Sequence, residues 1–149
     1  MDDRDICFVG DRAGAVNFIA WDREAAAALV AATLAGNPKA DTHDNSTAEE
    51  IMGAGHAYMA FQDGIPLAML VMEKIDWSGG RELEIRAAVA LSGRQDATET
   101  VLPHLEAVFA ADCNSVAVYT RRAGLVKKLG RAGYNESAKI LRKKICRAE

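Results

Sequence analysis

The sequence predicts an α/β fold built on a mixed, mostly antiparallel central sheet with helices on both faces. Three observations lead to it. Strand-like segments at 56–62, 65–75 and 81–91 follow one another through short turns, Asp63-Gly64 and Ser78-Gly79-Gly80, as in an antiparallel meander. Beyond residue 98, helical and strand patterns alternate, which a sheet accommodates through crossovers that lay helices on its faces. The 149 residues are 50% hydrophobic and 26% charged, ordinary globular composition and enough for one buried core.

The elements follow in order. The first strand signal lies within residues 6–21, broken by Gly10 and Gly14 into a short piece at 6–9 and a longer one at 15–21. Asp22 suits an N-cap, and the Ala-rich run 23–35 is a strong helix former. Gly36-Asn37-Pro38 stops that helix with a glycine and then a proline that cannot continue it. Residues 37–45 read as loop. Ser46 with Glu49 forms a capping box that opens a short helix over 47–53. In the third strand, Pro66 stands near the start, where a missing donor is tolerated. In 81–91 the alternation is clean: Leu83, Ile85, Ala87, Val89 and Leu91 share one face, and Glu82, Glu84, Arg86, Ala88 and Ala90 the other. A helix is expected over 98–112, starting late or kinked because of Pro103. A short strand at 116–119, a helix over 121–132 with Leu125 and Leu129 at i, i+4, a stop at Gly133 and a last strand at 138–145 complete the chain.

Nothing approaches 18 consecutive apolar residues, so no membrane helix is expected. The start, Met1-Asp2-Asp3-Arg4-Asp5, is acidic where a secretory signal is basic. Cys7, Cys113 and Cys146 are odd in number and far apart, which suits a reducing, cytoplasmic setting and neither a disulfide framework nor a zinc site. His43, His56 and His104 lack metal-ligand spacing, so no metal is expected. The net charge of −3 is uneven: residues 121–149 hold ten Lys or Arg against two Glu, a net of +8, leaving −11 on the other 120. Arg121, Arg122, Lys127, Lys128 and Arg131 are therefore candidate partner-binding residues, for an acidic protein surface first and nucleic acid second; a solvated helix face is the plain alternative.

The stretch SVAVYTRRAGLVKKLGRAGYNESAKILRK and the segment FQDGIPLAML resemble the strand, helix, Gly-aromatic turn and last strand, and the second and third strands, of the GNAT N-acetyltransferase superfamily. With the element order, the resemblance covers nearly the whole chain and implies a single GNAT-like domain over 1–149. Size and layout also resemble degenerate GNAT-like virion and internal proteins of tailed bacteriophages, which implies a virion-associated setting if the protein is of phage origin.

The resemblance locates a coenzyme-A loop and shows it altered. In the family, the strand matching 81–91 leads into Arg/Gln-x-x-Gly-x-Gly/Ala, whose small residues let backbone N–H groups close on a pyrophosphate at a helix start. Here Arg94 matches, Ala97 stands at the first glycine and Glu99 at the second. A carboxylate about 4 Å from like charge costs on the order of 1 kcal/mol in water and several at a partly buried site. A loss of about 3 kcal/mol lowers affinity roughly 100-fold. Asp96 adds to the repulsion.

For an active enzyme, the resemblance implies acetyl-CoA as cofactor, Val89, Leu91, Arg94, Ala97 and Thr98 as its binding residues, and Glu84, or Glu82, as general base. A solvent-facing strand alternation explains those two glutamates equally simply. The family's tyrosine acid maps onto Leu129, and Tyr119 lies at a strand end. Two functions are therefore expected in this order: a pseudoenzyme-like interaction module with no cofactor, contacting a protein partner through its basic end and open to homo-oligomer formation; and an acyl-CoA-dependent N-acetyltransferase acting on a small amine or protein amine.

Overall fold

A computed structural model of the chain describes residues 14–37, 46–91 and 97–145. The expected strand piece at 6–9 and most of the loop 37–45 lie outside them. One sheet carries five strands in the order β1 to β5: β1 (Val16–Ala20), β2 (His56–Gln62), β3 (Ile65–Trp77), β4 (Gly80–Ala90) and β5 (Ser115–Val118). The first four are antiparallel, and β5 joins β4 in parallel. Helices α1 (Arg23–Gly36) and α2 (Ala48–Met52) precede β2; α3 (Ala97–Phe109) links β4 to β5, and α4 (Ala123–Arg131) follows β5.

Helices cover both faces, as expected. On one face, α3 and α4 bring Leu102, Leu105, Phe109 and Leu129 onto Phe18, Tyr58, Leu70 and Ile85. Phe109 centres this cluster, its ring 5.1 Å edge-on from Phe18 and 4.7 Å from Tyr58. On the other face, α1 and α2 bury Ala26, Val30 and Met52 against Met59, Met69 and Val71.

Helix starts and stops follow local chemistry. The Asp22 carboxylate accepts from the Ala25 amide and caps α1. The capping box of α2 is one residue later than expected, Thr47 with Glu50. The string Ser-Thr-Ala-Glu-Glu permits both registers, and Glu49 instead pairs with Arg23 at 3.1 Å. Gly133, at φ 95°, ends α4, with the Tyr134 amide reaching back to the Leu129 carbonyl at 2.9 Å. Pro103 lies inside α3, exposed, and the helix starts before it at Ala97. A proline there forfeits one ladder bond, but its ring faces water rather than the core.

Two expectations fail. The alternation in 81–91 does not hold through the strand, because Val71 pairs with Ala87 while Met72 pairs with Ile85. Arg86 is the extra residue of a β-bulge, which exchanges the faces of everything beyond it. Leu83 and Ile85 therefore join the α3 side, whereas Ala87, Val89 and Leu91 pack on the α1 side. The strand expected at 138–145 is also not formed: among the described residues the chain there pairs with no strand, and it is exposed. Four of those eight residues are Lys or Arg, which disfavours burying either face of such a strand.

Candidate functional site

The parallel pairing of β4 with β5 spans only Glu82↔Ser115 to Ile85↔Val118. Past that point β4 runs on for five residues and bends at its bulge, so the two strands part. A cavity of about 90 Å³ opens between them, walled by residues 85–89 on one side and by Val118, Tyr119, Thr120 and Arg122 on the other. Val30, Thr33 and Leu34 of α1 and Ile51 of α2 close its base.

Backbone groups of β4 face this cleft. The Leu91 amide donates to the Leu67 carbonyl at 2.9 Å. Bonded and non-bonded pairs alternate along an antiparallel ladder. Val89, opposite Met69, thus also turns its backbone groups toward β3, and Ala88 and Ala90 turn theirs toward the cleft. Val89 and Leu91, expected as cofactor-binding residues, lie on the β3-paired phase of the strand, and Ala88 and Ala90 on the cleft phase. The bulge that sets this phase is invisible in the residue pattern. Such an unpaired edge can take an extended, amide-bearing chain as a strand would.

Arg86, on the cleft wall, ties β4 to α2. Its guanidinium donates to the Ile51 carbonyl (2.8 Å), the Glu84 carboxylate (2.8 Å) and, at 3.4 Å, to the Glu73 carboxylate and the Glu50 carbonyl. Arg23 donates to the carbonyls of Gly53 (2.7 Å) and Gly55 (3.0 Å). Two guanidinium groups thus serve the carbonyl-rich end of the five-residue α2 and hold it against the sheet. Glu84, the expected base, is only 13% exposed and belongs to this ion pair. Glu82 accepts from the Ser115 hydroxyl at 2.9 Å, which ties β4 to β5.

Of the expected loop, Arg94 and Asp96 lie outside the described residues. Ala97 is buried and opens α3, with Thr98 half-buried and Glu99 exposed in the first turn. Glu99 thereby stands at the positive end of the helix dipole, where a bound anion would also be drawn. Leu129, at the family's acid position, is buried in the α3–α4 cluster. Tyr119, half exposed at the cleft wall, brings a phenol there beside the Thr33 and Thr120 hydroxyls. The basic residues separate along α4: Arg121 and Arg122 lie at its start and Lys127, Lys128 and Arg131 near its end, all exposed except the half-buried Lys128. Among the described residues, no cluster of His, Cys, Asp or Glu could hold a metal ion, and no helix is long and apolar enough to cross a membrane.

A second charged cluster lies at the other end of the sheet. Asp112 accepts from Lys74 and from Arg81, each at 2.7 Å, and Arg81 also reaches Asp76 at 2.7 Å. The Lys74 and Arg81 hydrogen bonds pull the Asp112 carboxyl down to about 2. The Tyr134 hydroxyl donates to Glu106 at 2.8 Å, and burial followed by that carboxylate pushes its pKa up. These contacts fasten loops and helices and lie away from the cleft lining.

No family model and no curated protein sequence matches the chain. Solved structures do. A Pyrococcus furiosus protein assigned as an acetyl transferase superposes with a TM-score of 0.63 at 12% identity, over 88% of this chain and 100% of its own. A Bacillus halodurans transcriptional regulator gives 0.59 at 14%, over 88% and 100%. An acetyltransferase assigned in Clostridium acetobutylicum, solved with acetyl-CoA, gives 0.52 at 13%, over 87% and 96%. At such identities the likeness establishes the fold, and it is that of the GNAT acetyltransferases.

Proposed function

We propose that this GNAT-fold chain is an interaction module whose cleft does not carry out ordinary acetyl transfer. The observation that supports this reading best is the engagement of Glu84. The carboxylate expected to take a proton is largely buried and bound to Arg86, so it is held in a structural ion pair rather than presented to an amine. Two further observations agree. Glu99 occupies the helix start that a pyrophosphate would need, and a core leucine fills the acid position. In this reading the basic face of Arg121, Arg122, Lys127, Lys128 and Arg131 meets an acidic protein surface. A place in a phage particle rests on size and layout alone and would be tested by mass spectrometry of purified virions.

The test is thermal unfolding with acetyl-CoA. A ligand at 100 times its Kd stabilises by about 2.7 kcal/mol, several degrees in Tm for a chain of this size. We expect no shift at roughly 100 µM acetyl-CoA; a shift of about 5 °C or more, which these relations assign to a micromolar binder, would refute the module reading.

One observation favours the other reading, an acyl-CoA-dependent N-acetyltransferase. The parted strands leave a real cavity, with Ala88 and Tyr119 on its walls. There the neutral amine would attack the thioester carbonyl, the C–S bond breaking as Tyr119 gives the leaving thiolate a proton and regains one from the acylated nitrogen, with the peptide groups of β4 aligning the acyl chain. Acetyl transfer that falls at least tenfold in Tyr119→Phe would establish it.

A further inference from the structure

We infer that the cleft between β4 and β5 is a binding site for a small aliphatic carboxylate, held by Arg122. The charge of the lining points there first. The chain carries 21 acidic residues, yet none of them lines this cavity, whereas Arg86 and Arg122 both do. A cleft walled by one sign of charge concentrates ions of the other.

The two arginines are not equivalent. Arg86 is already met by the carboxylates of Glu84 at 2.8 Å and Glu73 at 3.4 Å, and it holds the Ile51 carbonyl. Arg122 enters from the start of α4, and among the described residues its side chain caps nothing and forms no hydrogen bond or ion pair. A cation at the positive end of a helix is unfavourable, so Arg122 does not serve α4. Its charge is left for an occupant of the cleft. The Arg122 amide donates to the Thr120 hydroxyl at 3.0 Å, which leaves that hydroxyl's own proton for an acceptor. Thr33 donates to the Leu29 carbonyl at 2.9 Å, so Tyr119 and Thr120 are the hydroxyl donors on the wall.

The base of the cavity decides the rest of the ligand. Val30, Leu34 and Ile51 close it with aliphatic surface, which an inorganic anion would leave unmatched. A carboxylate suits the planar fork of a guanidinium, and an aliphatic chain behind it gains by burial on that base. A cavity of about 90 Å³ restricts the chain to a short one. The inference rests on the lining and holds whether or not acetyl transfer occurs there. A Tm unmoved by acetyl-CoA bears on the module reading alone, so the two readings fail separately.

Titration of isovalerate into the full chain, followed in amide NMR spectra, tests it. Millimolar isovalerate should give saturable shifts centred on residues 85–89 and 118–120. Arg122→Gln should weaken the affinity at least tenfold, and Arg122→Lys should recover part of that loss. Arg122 is exposed, so the spectrum of either variant should match the parent's away from the cleft. Isopentanol, which keeps the carbon skeleton without the charge, and inorganic phosphate, which keeps charge without the skeleton, should each bind at least tenfold more weakly. Cleft amides that do not move in millimolar isovalerate overturn the inference, as does binding that Arg122→Gln leaves intact. Equal binding of isopentanol would make the cleft merely apolar, and equal binding of phosphate merely basic; either result also overturns it.

Discussion

Asp112 shows how much a single side chain can be steered by its neighbours. Lys74 from β3 and Arg81 from β4 both donate to it, and the Asn114 side chain accepts from the Arg81 amide at 2.8 Å. The loop before β5 is thus tied to the β3–β4 hairpin through charge and backbone together. Because the folded carboxyl sits near 2, below the ordinary aspartate value of about 3.9, it favours the folded state above about pH 4. That contribution falls away as pH drops from there through about 2. A carboxyl-carbon NMR titration should place the Asp112 midpoint near 2, and Lys74→Met should move it upward. An unchanged midpoint in that variant would show that Lys74 does not hold it. At the opposite end, Gly55 lets β2 begin against the sheet: a Cβ there would lie 2.7 Å from Val71 Cγ1 and 2.9 Å from the Met52 carbonyl.

Helix α2 is too short to be stable alone, since a five-residue helix barely repays its nucleation. It persists because Thr47 and Glu50 cap one end, Met52 is buried beneath it, and Arg23 and Arg86 satisfy carbonyls at the other. Arg86 can reach them because the bulge in β4 presents it there. Replacing it by methionine keeps much of the volume but leaves the Ile51 carbonyl and the Glu84 carboxylate short of a partner. Arg86→Met should cost about 1–3 kcal/mol in urea unfolding. If the loss is below about 0.5 kcal/mol, the ordinary surface range, the network is not what holds α2. The same variant frees Glu84, so a rise in any acetyl transfer would speak for the enzymatic reading.

Across the whole molecule, β3 is the structural axis. It lies between β2 and β4, and its residues 67–72 are buried without interruption, contributing to the clusters on both faces. At the other extreme, β5 shares four residue pairs with β4, and α4 buries only Leu129 fully. Local opening follows buried contact and backbone pairing. Native-state hydrogen exchange should therefore find the amides of residues 67–72 slowest, exchanging only through global unfolding, with α4 opening well before them. Comparable protection in α4 and β3 would contradict this ordering. The parting of β4 from β5 belongs to the same gradient: the cleft opens where the sheet is least committed.

All five strands, all four helices and both hairpin turns were readable from the residues, because each rests on neighbours a few positions apart. Alternation, the Ala-rich run after Asp22, Asp63-Gly64 and the stop at Gly133 act within that range. The choice between two capping boxes, the bulge at Arg86, the engagement of Glu84 and the orientation of Ala88 and Ala90 were not readable. Each is decided by a partner tens of residues away in the chain or by the register between two strands, and strand register leaves no mark in one strand's own pattern. The open edge beside β5 has the same origin. An alternating segment announces that it could be a strand, and only the packing of the folded molecule determines whether it has one to join.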